Sequence, residues 1–201
     1  MRLLHIEAIV LRTRPLREAD RLLVLLSRER GKLRAIAYGA AKATSKKRGA
    51  VQPFTHGRYL LAAGKELYTV RQAEEIASVS WLYGNLPRLA YAAYAAELTE
   101  AFLPEEQPNQ AAFRLFLAFL KHLAGRVEPL ALRLFEARLL AITGFWPRLT
   151  TCAACGAPPG VEAFFSARAG GVLCPVCGER DVQAVRCRSG TLKLLGVLGN
   201  W

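Results

Sequence analysis

Residues 6–13 read Ile-Glu-Ala-Ile-Val-Leu-Arg-Thr, residues 22–26 Leu-Leu-Val-Leu-Leu, and residues 31–38 Gly-Lys-Leu-Arg-Ala-Ile-Ala-Tyr. In the first stretch Ile6, Ala8, Val10 and Arg12 alternate with Glu7, Ile9, Leu11 and Thr13, and Pro15 stops the run. Period-two alternation rich in β-branched residues is the pattern of a strand, whose successive side chains leave opposite faces. Leu22 to Leu26 is a short apolar run bounded by charges. Gly31 then turns the chain into a third run, with Leu33, Ala35 and Ala37 on one face and Arg34, Ile36 and Tyr38 on the other. Beyond a loop, residues 54–61 and 66–70 flank a Gly64 turn at the spacing of a hairpin.

Five short strands in the first 80 residues, mostly joined by tight turns, predict a small β-barrel of the OB-fold kind. The whole chain has 201 residues, 52% of them hydrophobic and 22% charged, the composition of a globular protein rather than a disordered or low-complexity one. At this size folding buries about 70% of the unfolded chain's surface, so no disulfide framework is required. No apolar stretch is long enough to cross a membrane, and Arg12 and Arg14 interrupt any signal-peptide pattern, so a cytoplasmic location is expected.

Charge singles out the same segment. Lys and Arg number 28 against 16 Asp and Glu, for a formal charge of +12. Residues 1–80 hold 16 basic and 7 acidic side chains, whereas residues 81–148 hold 7 and 6 and residues 149–201 hold 5 and 3. The barrel segment is therefore the candidate partner of a polyanion, nucleic acid before membrane. Its densest cluster is the loop at 39–49, Gly-Ala-Ala-Lys-Ala-Thr-Ser-Lys-Lys-Arg-Gly. A flexible loop carrying Lys42, Lys46, Lys47 and Arg48 can follow a phosphate backbone, with Thr44 and Ser45 donating to phosphate oxygens. Arg12, Arg14, Arg17, Arg21 and Arg34 extend the track, and Tyr38, which shares a face with Arg34, can stack on an unpaired base. Phe54 and Tyr59 are expected in the barrel core instead.

From Asn85 the period becomes helical, with Leu86, Leu89, Ala90, Ala93 and Tyr94 in an alanine-rich segment and Pro87 in the first turn. A two-proline break at 104–109 precedes a second helix at 110–123, which carries Phe113, Phe116, Leu117 and Leu120 on one face. A third helix spans 129–143 and stops at Gly144. This near-neutral segment reads as a helical bundle, and a groove on it can receive an amphipathic or extended peptide.

Cys152-Ala-Ala-Cys155 is followed after 18 residues by Cys174-Pro-Val-Cys177, and Gly156 and Gly178 trail the two pairs. Two C-x2-C pairs at this spacing are the arrangement of a zinc ribbon, in which four thiolates fill a tetrahedral Zn2+ site and leave no position for a reacting water. A disulfide or redox pair is the alternative reading of these thiols. Cys187, outside the pairs, is expected as a small buried hydrophobe. His5-Ile6-Glu7 matches the H-x-E of zinc deaminases, but Thr151 and Leu173 stand where that chemistry requires proline before the cysteine pair. His56 and His122 are isolated in sequence, and there is no P-loop or dinucleotide fingerprint. Three function classes stay open on the residues alone: a DNA-binding and annealing protein, an adaptor holding RNA or polymerase, and a zinc-dependent nucleic-acid enzyme.

Read from end to end, the chain resembles the bacterial RecO recombination mediators. The likeness is carried by Ile9-Val-Leu-Arg-Thr with Glu18-Ala-Asp20 and Gly31, by Tyr38-Gly39 with Lys42 and Ser45, and by Val51-Gln-Pro-Phe54. It continues through Tyr94 to Leu98, Phe135-Glu-Ala-Arg-Leu-Leu140, Gly144, Pro147 and the Cys152 to Cys155 and Gly170 to Cys174 stretches. The resemblance implies an α+β multi-domain chain without catalytic activity: an N-terminal OB-fold at 1–80, a central α-helical domain at 81–148 completed by 188–201, and a zinc ribbon at 149–187. It further implies binding of single- and double-stranded DNA, strand annealing, association with RecR, docking of the single-strand-binding protein's C-terminal tail on the helical domain, and assistance in loading RecA. After Cys187 only residues 191–198 can form a helix, which is short for the family's return segment.

Overall fold

The alternating runs form β1 (Leu3–Pro15), β2 (Arg21–Ser27), β3 (Gly31–Ala37), β4 (His56–Ala62) and β5 (Tyr68–Ala77) in a computed structural model that describes residues 3–199. The strands hydrogen-bond in the order β1-β2-β3-β5-β4, and β4 pairs with β1 to close the barrel. All neighbours are antiparallel except β3 and β5, which run parallel. Closure leaves no free sheet edge. Ile6, Ala8, Val10, Leu23, Leu25, Leu33, Ala35, Tyr59 and Leu61 fill the interior, so the Ile6, Ala8 and Val10 face of β1 is the one that lines the barrel.

The opposite face of β1 is buried too, with Ile9 at 0% and Leu11 at 3% exposure, because α2 packs on it. A bulge between Val10 and Arg12 interrupts the pairing of β1 with β2 at that place. β5 extends to Ala77, beyond the expected end at residue 70, since pairing with β4 holds the polar residues Gln72 and Glu74 in register against their weak strand preference.

The first compact unit, residues 1–139, joins this barrel to helices. A single turn, α1 (Ser80–Tyr83), precedes α2 (Leu86–Phe102), α3 (Gln110–Gly125) and α4 (Pro129–Thr143). Asn85 and Asn109 cap α2 and α3, their side chains accepting from the N–H of Arg88 at 3.1 Å and of Ala112 at 2.9 Å. Phe135 of α4 meets Phe116 and Phe119 of α3 at ring separations of 6.2 and 4.8 Å. Small residues Ala92, Ala95 and Ala96 form the buried stripe of α2.

Gly31, at the β2–β3 turn, has φ +71°, and a Cβ there would run into the backbone carbonyl of Gln107 in the α2–α3 connection. Gly31→Ala combines a left-handed backbone with overpacking, and is expected to lower stability by roughly 2–4 kcal/mol in chemical denaturation.

His56 and His122, isolated in sequence, both have carboxylate partners in space. His122 Nε2 lies 3.6 Å from Glu128, and His56 Nε2 lies 2.8 Å from Glu7 Oε1 while its ring meets Phe113 of α3 edge-on. Burial pushes the Glu7 carboxyl up, but its hydrogen bonds to His56 and Arg28 outweigh this and hold it below its ordinary value of 4.5. A depressed carboxylate contributes stability that is present above the unfolded value and lost as pH falls through the folded one. Stability is therefore expected to decline below pH 4.5, and Glu7→Gln should make that decline shallower in denaturation curves collected between about pH 5 and 3.

The second unit, residues 140–201, contains a three-stranded sheet in the order β7 (Gly171–Leu173), β6 (Ala163–Ser166), β8 (Val185–Cys187), with α5 (Pro175–Glu179) and α6 (Ser189–Gly199). Strands of three or four residues are too short to show a period in sequence. Cys187 is half-buried on the edge strand β8 rather than fully enclosed as expected. No helix among the described residues is long and apolar enough to cross a membrane.

Candidate nucleic-acid interface and metal centre

The 38–55 connection between β3 and β4 is a run of turns anchored to the barrel, not the flexible loop expected. Ser45, Arg48, Val51 and Gln52 each donate a backbone N–H to the carbonyl three or four residues earlier, at 3.0–3.2 Å. Ala40 and Val51 sink into the barrel core. The Thr13 hydroxyl donates to the Val51 carbonyl at 2.6 Å, and the Tyr59 hydroxyl donates to that of Ala50 at 2.7 Å. Phe54 and Tyr59 are buried at 4% and 2% exposure, in keeping with a core role.

This anchoring brings two basic segments to one end of the barrel. Pro15 pairs with Arg21, and Arg21 pairs with Ala37, so the 16–20 turn and the start of the 38–55 loop are neighbours. They are stitched together: Ala41 donates its N–H to the Ala19 carbonyl at 2.9 Å, and Gly39 donates its N–H to the Asp20 carboxylate at 2.9 Å. Arg14, Arg17, Tyr38, Lys42, Lys46 and Arg48 are exposed at this mouth, and Arg21 is half-exposed, donating to the Asp20 carbonyl at 3.1 Å. Among the described residues none of Arg14, Arg17, Lys42, Lys46 and Arg48 forms an ion pair.

Three members of the sequence-derived set are engaged elsewhere. Arg12 pairs with Glu100 of α2, and Arg34 pairs with Glu105 of the α2–α3 connection at 2.9 Å. Both therefore turn toward the helices rather than the mouth. Lys47 is half-buried, its ammonium donating to the carbonyls of Tyr38 at 3.0 Å and Val70 at 3.4 Å. Sequence cannot separate a solvated lysine from one holding two carbonyls, because the second partner comes from a distant strand.

In the second unit the sulfurs of Cys152, Cys155, Cys174 and Cys177 all lie within 4.8 Å of one another. Each pair sits in a similar turn: the glycine four residues after the first cysteine donates its N–H to that cysteine's carbonyl, Gly156 to Cys152 at 2.9 Å and Gly178 to Cys174 at 2.8 Å. Gly156 is required by its φ of +78°, and Gly178 by the Phe164 ring, which occupies the space of a Cβ. The first turn is tied to β7 by the Ala153 N–H, which donates to the Val172 carbonyl at 2.7 Å.

The thiols are electrostatically divided. Burial raises the Cys152 pKa, but backbone N–H groups of Cys174, Cys155 and Ala154 reverse this and carry it well below the ordinary thiol value. Hydrogen bonds to Cys174 and Cys155 push Cys177 up. Metal–sulfur bonds of 2.3 Å around a tetrahedron place sulfurs about 3.8 Å apart, and the Cys155–Cys174 separation is 3.8 Å. The donor set therefore fits one metal ion.

A support that the sequence reading missed lies next to this cluster. The buried Ser166 hydroxyl donates to Asp181 at 2.7 Å, and the Gln183 N–H donates to the same carboxylate at 3.1 Å. The Ser166 hydrogen bond and that of Gln183 hold the Asp181 carboxyl below its usual range. The aspartate-to-backbone contact two residues on is an Asx-turn, and Asp181 in its polar setting was the available signal.

Barrel, helices and four-thiol module, in this order, define a basic barrel protein with an appended four-cysteine module able to hold one metal ion. The family model described as Recombination protein O N terminal matches residues 1–79, and Recombination protein O C terminal matches residues 83–201. A DNA repair protein RecO of Desulforudis audaxviator is 52% identical over 195 residues, spanning 97% of this chain and 78% of the relative. The corresponding protein of Pelotomaculum thermopropionicum is 43% identical over 201 residues, 100% of this chain and 78% of its own. That of Symbiobacterium thermophilum is 41% identical over 204 residues, 97% and 79%. The chain belongs to the RecO family.

Proposed function

We propose that this chain is a non-catalytic mediator of DNA repair and recombination that binds single- and double-stranded DNA, anneals complementary strands and, with RecR, helps load RecA onto strands coated by single-strand-binding protein. The observation that carries this reading is the set of unpaired cations at the mouth of a closed barrel, in a member of the RecO family. The closed five-stranded barrel supports reading residues 1–80 as an OB-fold that acts as the DNA-binding domain. Arg14, Arg17, Arg21, Lys42, Lys46 and Arg48 contact phosphates, Tyr38 stacks on a base, and Arg12 and Arg34 hold the barrel to its helices.

Annealing requires two polyanions to approach, and a cationic surface lowers their repulsion by displacing counterions while the bases stay free to pair. The four thiols hold Zn2+, which ties together residues 149–187 as a ribbon and takes no part in a reaction. The helices at 81–148 offer the surface for the single-strand-binding protein's tail. The chain acts in the cytoplasm, on the nucleoid. Annealing of complementary oligonucleotides followed by fluorescence tests the reading: salt-sensitive acceleration supports it, and a rate equal to that without protein overturns it in favour of an RNA- or polymerase-holding adaptor.

A further inference from the structure

Two side chains at the mouth, the half-buried Asp20 and Lys47, have a geometry that does not suit contact with DNA. Asp20 is half-buried in the middle of the basic cluster, with its carboxylate accepting the Gly39 N–H at 2.9 Å. Gly39 is the residue with φ +65° at which the chain leaves β3 for the basic loop. Lys47 spends two of its three N–H donors on the Tyr38 and Val70 carbonyls, so its half-buried ammonium is tied to the barrel. The two contacts grip the same short segment, Tyr38-Gly39, one from the 16–20 turn and the other from within the loop. Tyr38 itself is 48% exposed, and Lys46 and Arg48, on either side of Lys47, point outward.

We infer that Asp20 and Lys47 are positioning residues of the DNA surface rather than contacts to it: together they fix the Tyr38-Gly39 corner, so that the tyrosine ring and the flanking cations are held in place before DNA arrives. The inference rests on the proposed role of the mouth in DNA binding. Its physical logic is preorganisation. A loop that is already ordered loses less conformational freedom on binding, and the gain appears in affinity without any added phosphate contact. Loss of a charge-assisted hydrogen bond that orders the loop should cost roughly tenfold in affinity.

Asp20 makes the test one of sign. If the carboxylate acts only through its charge, removing it from a cationic surface must tighten binding. As a clamp, Asp20→Ala weakens single-strand binding roughly tenfold, whereas Asp20→Asn, which keeps an oxygen for the Gly39 N–H and drops the charge, binds at least as well as the parent. Lys47 is tested by salt. Each lost phosphate contact flattens the single-strand salt slope by about 0.7, which is the expectation for Lys46→Met. Lys47→Met should instead lower affinity by the same factor at every salt concentration.

Binding is to be measured by fluorescence anisotropy with a labelled oligonucleotide on the full chain, alongside the thermal midpoint of each variant. Tighter binding by Asp20→Ala, or a slope in Lys47→Met that flattens as it does in Lys46→Met, overturns the inference. If Asp20→Ala fails to fold, the salt slope of Lys47→Met decides between the two outcomes. If Lys46→Met and Arg48→Met both bind as the parent does, the reading of the mouth as the DNA surface fails, and this inference falls with it.

Discussion

Cys174→Ser, or extraction of the metal by a strong chelator, is expected to unfold residues 148–187 while leaving the barrel's own transition in place. The reason is the poverty of the core around the cluster. Its buried residues are Cys152, Phe164, Leu173 and Cys174, so two of the four belong to the four-thiol set itself. Burial of one phenylalanine and one leucine contributes about 3–6 kcal/mol, whereas a structural zinc site supplies about 10–16 kcal/mol at neutral pH. The barrel has the opposite balance: thirteen buried side chains, from Ile6 to Val70, form a closed apolar core. Limited proteolysis with mass readout checks the prediction. Cleavage between residues 150 and 187 should appear only in the variant or the chelated protein, with one zinc per chain bound beforehand. Resistance to cleavage without metal would show that the ribbon stands on its own packing. Acid should act in the same direction as chelation, because every thiol must give up its proton to bind, and protons compete more strongly as pH falls.

How much of this was legible in sequence depends on the range of the interaction. Local signals read true. Alternation grouped Ile6, Ala8 and Val10 on one face, and α3 and α4 follow the break at 104–109 and stop by Gly144. The C-x2-C turns and their trailing glycines placed four sulfurs together across 18 intervening residues. What failed was information carried by a partner far along the chain. Alternation left open which face of β1 is buried, and Ile9 and Leu11 are buried because α2 covers the second face. His56 looked isolated because Glu7 is 49 residues away. The basic loop looked flexible because its anchors are Thr13, Asp20, Tyr59 and the Val70 carbonyl, none of which belongs to it. The candidate DNA surface shows the same division: sequence located the charge cluster, but only the fold separates the cations at the mouth from Arg12 and Arg34, which are matched to Glu100 and Glu105.

That separation determines the expected result for the loop. With roughly five phosphates of one strand engaged, affinity should fall about a hundredfold between 50 and 200 mM salt, since the single-strand slope is about 0.7 per phosphate. Replacing Lys42, Lys46 and Arg48 together with methionine removes three of those contacts and leaves about two. The same change of salt should then cost only about sevenfold. Extrapolating the slope to 1 M, where the electrostatic contribution vanishes, gives a loss of roughly five-hundredfold at 50 mM. Annealing should slow in parallel, because the rate depends on holding both strands on one cationic surface. Arg12→Met with Arg34→Met is the matching control. It removes two positive charges whose partners are carboxylates of the helices, so the salt slope should hold while the stability of the first unit falls. If the control flattened the slope and the triple substitution did not, the DNA track would run along the helical side of the barrel. Tyr38 and the 38–55 loop would then have no part in binding.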